Sequence, residues 1–332
     1  MKKYKFLSEI NDHLIICTAI LLSKKNDVFF ITSDGAQLLF AKEVGCLTPI
    51  LLDEKLTHKE EYKGWTEYYP SYEQLNSLYS EPTKNVLGCR TNQFAKIYSE
   101  KELKDVLFWD GTKYQSLKYQ SFKGLLGEKV APRNLEQKML FHLLQNDDIK
   151  IKLCLGGFGD GKTWTMLQHA LKGIKEGKFS KIIFVRNNIV TKGSRDIGYL
   201  SGSLIEKIRP YLMPIADLTS EENLDEWIES GVIEPVPLAF MRGRDFSNDT
   251  LVFCDEAENL TKENVQLLIG RIGEGSQLWF AGDLKQIDHQ IFEKNNGLRK
   301  MIDSLAGNEL FGMVRLIKSE RSKTSQLADL MD

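Results

Sequence analysis

The stretch LCLGGFGDGKTWTM, from Leu153 to Met166, constrains the fold of this 332-residue chain more than any other. An apolar run suited to a strand enters a glycine-rich loop, which ends in Lys162-Thr163 where a helix begins. Gly156 to Thr163 satisfies the spacing GxxxxGK[ST], and the flanking strand and helix are the context that spacing requires. Glycines let the backbone fold around an anion, so that amide hydrogens and the helix N-terminus point at a phosphate. Gly156, Gly157, Phe158, Gly159, Asp160 and Gly161, with Trp164 just inside the helix, are therefore the expected nucleotide contacts. Lys162 is expected to reach the β and γ phosphates and Thr163 to ligate magnesium. Asp160 is the odd member, because it puts a carboxylate inside a loop suited to an anion. Like-charge repulsion predicts weakened affinity, and Asp160→Thr is expected to tighten ATP binding.

Beyond residue 151, apolar strand candidates recur with helices between them: IKLCL, KIIFV, TLVFC, QLWFA and GMVRLI. Such alternation predicts an α/β unit with a parallel sheet covered on both faces and a ligand site at the strands' carboxyl ends. TLVFC runs into Asp255 and Glu256. Asp255 suits the magnesium shell, and Glu256 suits orientation or deprotonation of an attacking water. The alternative for this pair is an acidic helix start. QLWFA leads to Asp283, Gln286 and Asp288, and Gln286 is placed to contact a γ-phosphate and report nucleotide state. An ordinary capped loop is the alternative there. Arg186, Arg242, Arg244, Arg271 and Arg321 are the candidate cations for the γ-phosphate, and each can equally be a surface residue. Arg321, after the last strand, is the favoured one.

The N-terminal part is organised differently. Residues 1–55 alternate a helix (DHLIICTAILLSKK), a strand (DVFFITSD), a helix (GAQLLFAKEVG) and a strand (LTPILL). Residues 56–125 join a stretch without clear period to short extended segments, QFAKIYS, DVLFW and KYQSL, with a hairpin signal at Asp110-Gly111. They are expected to form a linker and a small β module. A helix in PRNLEQKMLFHLLQ then leads into the unit at 126–332. Lys and Arg total 44 against 46 Asp and Glu, so nucleic-acid binding must come from a local basic surface rather than bulk charge. Five cysteines without a CxxC pair favour a reducing, cytoplasmic setting without structural zinc. No run approaches a membrane span, so no membrane contact is expected.

Together GGFGDGKT, DIGYLSGSLIEKIRPYLMPI, PLAFMRGRDF, DEAEN, RIGEGSQLWFAGDLKQID, NNGL and ERS resemble the PhoH-like ATPases, a RecA-like branch near superfamily one helicases. The resemblance runs from APRNLEQ at 131 to about 327. It implies a RecA-like P-loop core, ATP and Mg2+ as ligands, Gln137 as the adenine-reading residue, and a ring, hexameric in this reading, in which a neighbour's arginine completes the site. It also implies single-stranded RNA, or DNA, as the partner of an ATP-driven motor. The loops VTKGSRDIG and FMRGRDF are candidates to track a strand, with Tyr199 or Phe240 stacking a base. Two departures stand out: Glu258 occupies a position usually held by Gln, and Asn187 replaces a proline. Residues 1–55 resemble the back half of a PIN nuclease domain through Asp12 and Asp34. With the first two metal-binding acids absent before Asp12, no nuclease activity of this chain alone is expected, and a separate chain is the candidate to complete that domain. The other reading of Asp12 and Asp34 is a helix cap and a turn residue. A rival to the motor is an ATP-gated assembly module that controls a nuclease or effector partner.

Overall fold

The computed structural model describes residues 11–32, 34–44, 47–51, 61–99, 101–157, 159–186, 204–287 and 290–318, and forms two compact units, 1–61 and 62–332. The first unit holds α1 (Asn11–Ser23), β1 (Phe29–Thr32), α2 (Gly35–Val44) and β2 (Thr48–Leu51). The two strands pair in parallel, Phe29 opposite Thr48. Ile16, Phe30, Ala41 and Leu47 make its small core. Asp34 Oδ1 accepts the Gln37 amide at the start of α2, so it caps this helix, where the alternative reading made it a turn residue. The side chain of Asp12 lies outside the described residues.

In the second unit, β3 (Trp65–Tyr68), α3 (Tyr72–Ser80), β4 (Gln93–Ser99), β5 (Glu102–Trp109) and β6 (Tyr114–Ser116) precede a small hairpin, β7 (Phe122–Lys123) with β8 (Lys129–Val130). The sheet order is β3-β4-β5-β6. The stretch without clear period thus contains a strand and a helix. Its helix starts on a reciprocal Ser71–Gln74 capping box. Asp110 holds the β5–β6 turn, its Oδ1 accepting the Thr112 and Lys113 amides.

The main layer follows as α4 (Leu135–Gln145), β9 (Ile151–Leu155), α5 (Lys162–Lys175), β10 (Lys181–Arg186), α6 (Leu204–Thr219), α7 (Glu221–Glu229), β11 (Ile233–Pro237), β12 (Thr250–Asp255), α8 (Lys262–Ile269), β13 (Gln277–Gly282), α9 (Gln290–Lys294), α10 (Gly297–Leu305) and β14 (Phe311–Arg315). Six strands pair in parallel in the order β11-β10-β12-β13-β9-β14. The five apolar runs all become strands of this sheet. The sixth, IEPVP, carries two prolines, which cannot donate to a ladder, and it accordingly lies at an edge.

Strands buried on both faces explain the continuous apolar runs. Phe184, Phe253 and Trp279 pack on one side with Leu140, Leu143, Leu167 and Leu171. Ile183, Val252, Cys254 and Phe280 pack on the other with Val265, Leu268, Leu298 and Met301.

The β module shares this core, because Trp65, Phe94 and Phe108 belong to the first of those clusters. Hydrogen bonds to backbone carbonyls strap it to the β14 edge. Trp65 Nε1 donates to Arg315 O at 3.0 Å, Arg315 N donates to Lys63 O at 2.9 Å, and Asn92 Nδ2 donates to Glu309 O at 2.8 Å. Gly64 is required at this seam: its φ is +80°, and a Cβ there would stand 1.8 Å from Met313 O. Lys96 and Glu136 form a buried pair at 2.6 Å, with Lys96 Nζ 3.4 Å from the Trp65 ring centroid.

Candidate active site at the carboxyl ends of the strands

Register brings the site together. Arg186 lies opposite Asp255, and Leu155 opposite Gly282, so β9, β10, β12 and β13 end in one row. The loop after β9 turns through Gly159 and Gly161, at φ +83° and +80°. Gly161 caps α5 with no side chain, which leaves the helix's first amide hydrogens for an anion.

Asp160 fills part of that cradle. Its buried carboxylate accepts the Gly157 amide hydrogen at 2.5 Å, and a Cβ on Gly156 would meet Asp160 Oδ2 at 3.0 Å. Lys162 Nζ donates to Gly157 O at 3.1 Å, across the same loop. Thr163 Oγ1 donates to Asp255 Oδ1 at 2.9 Å, joining the helix start to the end of β12. Burial raises the Asp255 carboxyl above its usual range, opposed by Arg186, the Thr163 hydroxyl and Lys162.

These residues fit the implied ligands. A hydroxyl and a carboxylate side by side are hard oxygen donors suited to Mg2+, which takes one or two protein carboxylates and completes its shell with phosphates and water.

Glu256 follows Asp255 in left-handed backbone, φ +50°, a conformation that costs a non-glycine residue about 1–3 kcal/mol. Its carboxylate is engaged by Arg186 through two contacts, one of them Nε to Oε2 at 2.9 Å. The base expected from the sequence is therefore held by an arginine also expected at the site. Glu258, 4% exposed, accepts the Asp283 amide at 2.9 Å, and burial pushes its carboxyl up to about 7. That role in holding Asp283 was not visible beforehand, since only the register of β12 on β13 sets Glu258 against the Gly282–Asp283 backbone.

Two recesses flank the loop. One, about 300 Å³, is lined by Gly156, Gly157, Asp160, Asp283, Lys285 and Arg315. Arg315, at the end of the last strand, was not among the expected arginines, and β14's place beside β9 is what puts it there. The other, about 240 Å³, includes Arg133, Gln137, Gly159, Gly161 and Trp164. Gln137 spends its amide on backbone, with Oε1 accepting Arg133 N at 2.8 Å and Nε2 donating to Asp160 O at 3.2 Å. It thus touches the phosphate loop directly, and reading an adenine requires one of these bonds to open.

Gln286 sits in the turn after β13 with an exposed side chain, its amide donating to Asp283 O at 2.9 Å. Arg242 is exposed, Arg271 half-buried, and Arg244 is committed to Glu234 at 2.6 and 2.9 Å. Phe158, Asn187, Lys192, Arg195, Tyr199, Asp288 and Arg321 lie outside the described residues.

A family model described as "PhoH-like protein" matches residues 129–330. Protein PhoH2 of Bacillus subtilis (strain 168) is 30% identical, over 97% of this chain and 78% of that protein. Protein PhoH2 of Mycolicibacterium smegmatis is 32% identical over 60% of this chain, which spans 46% of that protein's length. The PhoH-like protein of Bacillus subtilis is 29% identical over 63% of this chain and 65% of that protein. A crystal structure of Pif1 helicase from Candida albicans aligns with a TM-score of 0.32 at 15% identity, covering 59% of this chain and 42% of that one. At that distance the P-loop assignment rests on this chain's own loop and strand order. With the matched segment spanning β8 to the last strand and including the loop from Gly156 to Thr163, the chain belongs to the PhoH-like protein family.

Proposed function

We propose that this P-loop NTPase is an ATP-dependent motor on single-stranded RNA, or DNA, working as a homo-oligomeric ring. The observation that carries the reading is the junction of Thr163 with Asp255 beside Lys162, one residue from Glu256. Bound Mg2+ would neutralise developing phosphate charge there, held by Thr163 and Asp255. Lys162 trades its bond to Gly157 O for the phosphates. Glu256, once released by Arg186, orients the attacking water and accepts its proton. Arg186, freed by the same movement, has a γ-phosphate as its next partner, so one switch prepares both the base and the cation. Among the described residues of 62–332 one six-stranded parallel sheet forms the core, and a neighbouring copy in a ring supplies the second surface that a moving cleft needs.

The test is steady-state ATP hydrolysis with and without single-stranded RNA, in wild type and Glu256→Gln. RNA-stimulated turnover in wild type that falls at least 100-fold in Glu256→Gln supports the motor, in line with the ~10²–10⁴-fold contribution of a general base. Activity untouched by Glu256→Gln refutes the assigned base.

The second reading, an ATP-gated assembly module acting on an effector partner, is favoured by the closed Arg186–Glu256 pair and by Asp160 in the phosphate cradle. Both features suit slow, gated turnover. Hydrolysis that depends on Glu256 but ignores RNA is its signature.

A further inference from the structure

The strand β4 lies along α4 and meets it near both ends. Toward the C-terminal half of the helix, the Phe94 ring stands edge-on to His142, with centroids 5.6 Å apart. Two residues along the same face of β4, Lys96 Nζ donates to Glu136 Oε1 in the first turn of α4 at 2.6 Å. Lys96 is fixed from both sides, since it pairs with Glu67 of β3 and Val106 of β5. Both members of the ion pair are buried, with side chains 4% and 8% exposed.

A buried ion pair contributes little net stability, because desolvation of the two charges offsets most of their attraction, and apolar side chains of similar volume often serve as well. What it adds to apolar contact is direction, since a charge-assisted hydrogen bond fixes donor against acceptor. Here it fixes the turn of α4 that reaches the phosphate loop. Gln137, the next residue, is 5% exposed and donates from Nε2 to Asp160 O at 3.2 Å. Its Oε1 accepts Arg133 N at 2.8 Å, and its own amide donates to the Asn134 cap at 2.9 Å. A Cβ on Gly161 would stand 3.3 Å from Gln137 Nε2, so this side chain lies directly on the loop. Lys96, Glu136, Gln137 and Asp160 therefore form one connected path from the β module to the phosphate loop.

We propose that Lys96 is a positioning residue for nucleotide binding: its bond to Glu136 sets the first turn of α4, so that Gln137 holds the phosphate loop in the shape that accepts a phosphate. The proposal rests on the phosphate-loop part of the reading above and is independent of the motor. It gives the β module a task at the site. The module braces the loop from the α4 side through Lys96, and from the β14 side through Trp65 Nε1 on Arg315 O.

Isothermal titration of the whole chain with Mg-ADP tests this, alongside urea denaturation of each variant. Lys96→Met/Glu136→Leu refills the space with apolar side chains and is expected to keep most of the wild-type stability. It should nevertheless bind Mg-ADP about tenfold more weakly, the equivalent of one ordinary hydrogen bond lost from the loop. Glu136→Gln keeps an acceptor for Lys96 Nζ and should stay within about twofold of wild type, whereas Glu136→Leu, which deletes it, should bind about tenfold more weakly. In a Gln137→Ala background, replacing the pair should change affinity by less than about twofold, because the path to the loop is already cut. Wild-type affinity in Lys96→Met/Glu136→Leu overturns the proposal, as do equal losses in Glu136→Gln and Glu136→Leu, or a loss that persists undiminished in Gln137→Ala. Failure of the wild-type chain to bind Mg-ADP would instead refute the phosphate-loop reading itself, and the proposal with it.

Discussion

Replacing Asp160 tests how this phosphate loop handles an anion. The Gly157 amide donates to Asp160 Oδ2 at 2.5 Å, so the loop's own carboxylate takes a seat that a phosphate oxygen would take. A hydrogen bond to a charged group contributes about 1.5–3 kcal/mol, which an entering nucleotide must displace. If the displaced carboxylate stayed roughly 5 Å from a phosphate charge, repulsion at an effective dielectric of about 20 would be of order 3 kcal/mol. Rotation toward solvent lowers that figure, so a gain of about 1.5–3 kcal/mol is the expectation for removing the charge. That corresponds to about 10- to 100-fold in Kd. Isothermal titration with Mg-ADP should therefore show tighter binding in Asp160→Thr, and also in Asp160→Asn, which keeps the shape and deletes the charge. Affinity unchanged or weaker in both variants would refute the idea that this carboxylate competes with phosphate.

Glu258 gives a pH signature. Its folded carboxyl titrates at about 7 against an ordinary 4.5, so the folded chain keeps a proton that the unfolded chain releases. The resulting penalty is absent below pH 4.5, grows as pH rises to 7 and is complete above it, at about 3 kcal/mol. Urea denaturation at pH 8 should find Glu258→Gln more stable than wild type by about that amount, with the two converging near pH 4.5; a difference independent of pH would count against it. The Lys96–Glu136 pair predicts a different response: Lys96→Met leaves a buried carboxylate uncompensated and should cost about 3–5 kcal/mol, read as a lowered urea midpoint. The double variant Lys96→Met/Glu136→Leu should recover most of that loss, and a double variant as unstable as the single would show that the aromatic packing, not the charge, is at stake.

The parts legible in the sequence are those governed by local chemistry. The strand–loop–helix at Leu153–Met166 follows from apolar burial, glycine freedom and the requirement for amide donors, none of which depends on distant residues. Strands β9, β10, β12, β13 and β14 were visible as apolar runs because parallel strands are buried on both faces. Strand β11 was not, since IEPVP carries prolines that only an edge position tolerates, and edge or centre is a property of the assembled sheet. Likewise β3 and α3 are short and acquire their order from the β4 ladder and a cap rather than from periodicity.

At the site, residue identities such as Lys162, Thr163, Asp255 and Glu256 could be named in advance, but their partners could not. That Arg186 holds Glu256, that Glu258 holds the Asp283 amide and that Arg315 reaches the recess beside Gly156 all follow from which strands are neighbours and in what register. The order β11-β10-β12-β13-β9-β14 is not the order of the chain. A charge along the sequence knows only its neighbours in the chain, whereas its pKa, its ion pair and its access to a phosphate depend on groups 25 to 159 residues away, brought close by packing. Sequence alone therefore determined the phosphate-loop pattern that the chain carries, and tertiary structure decided the partners that its candidate catalytic groups keep.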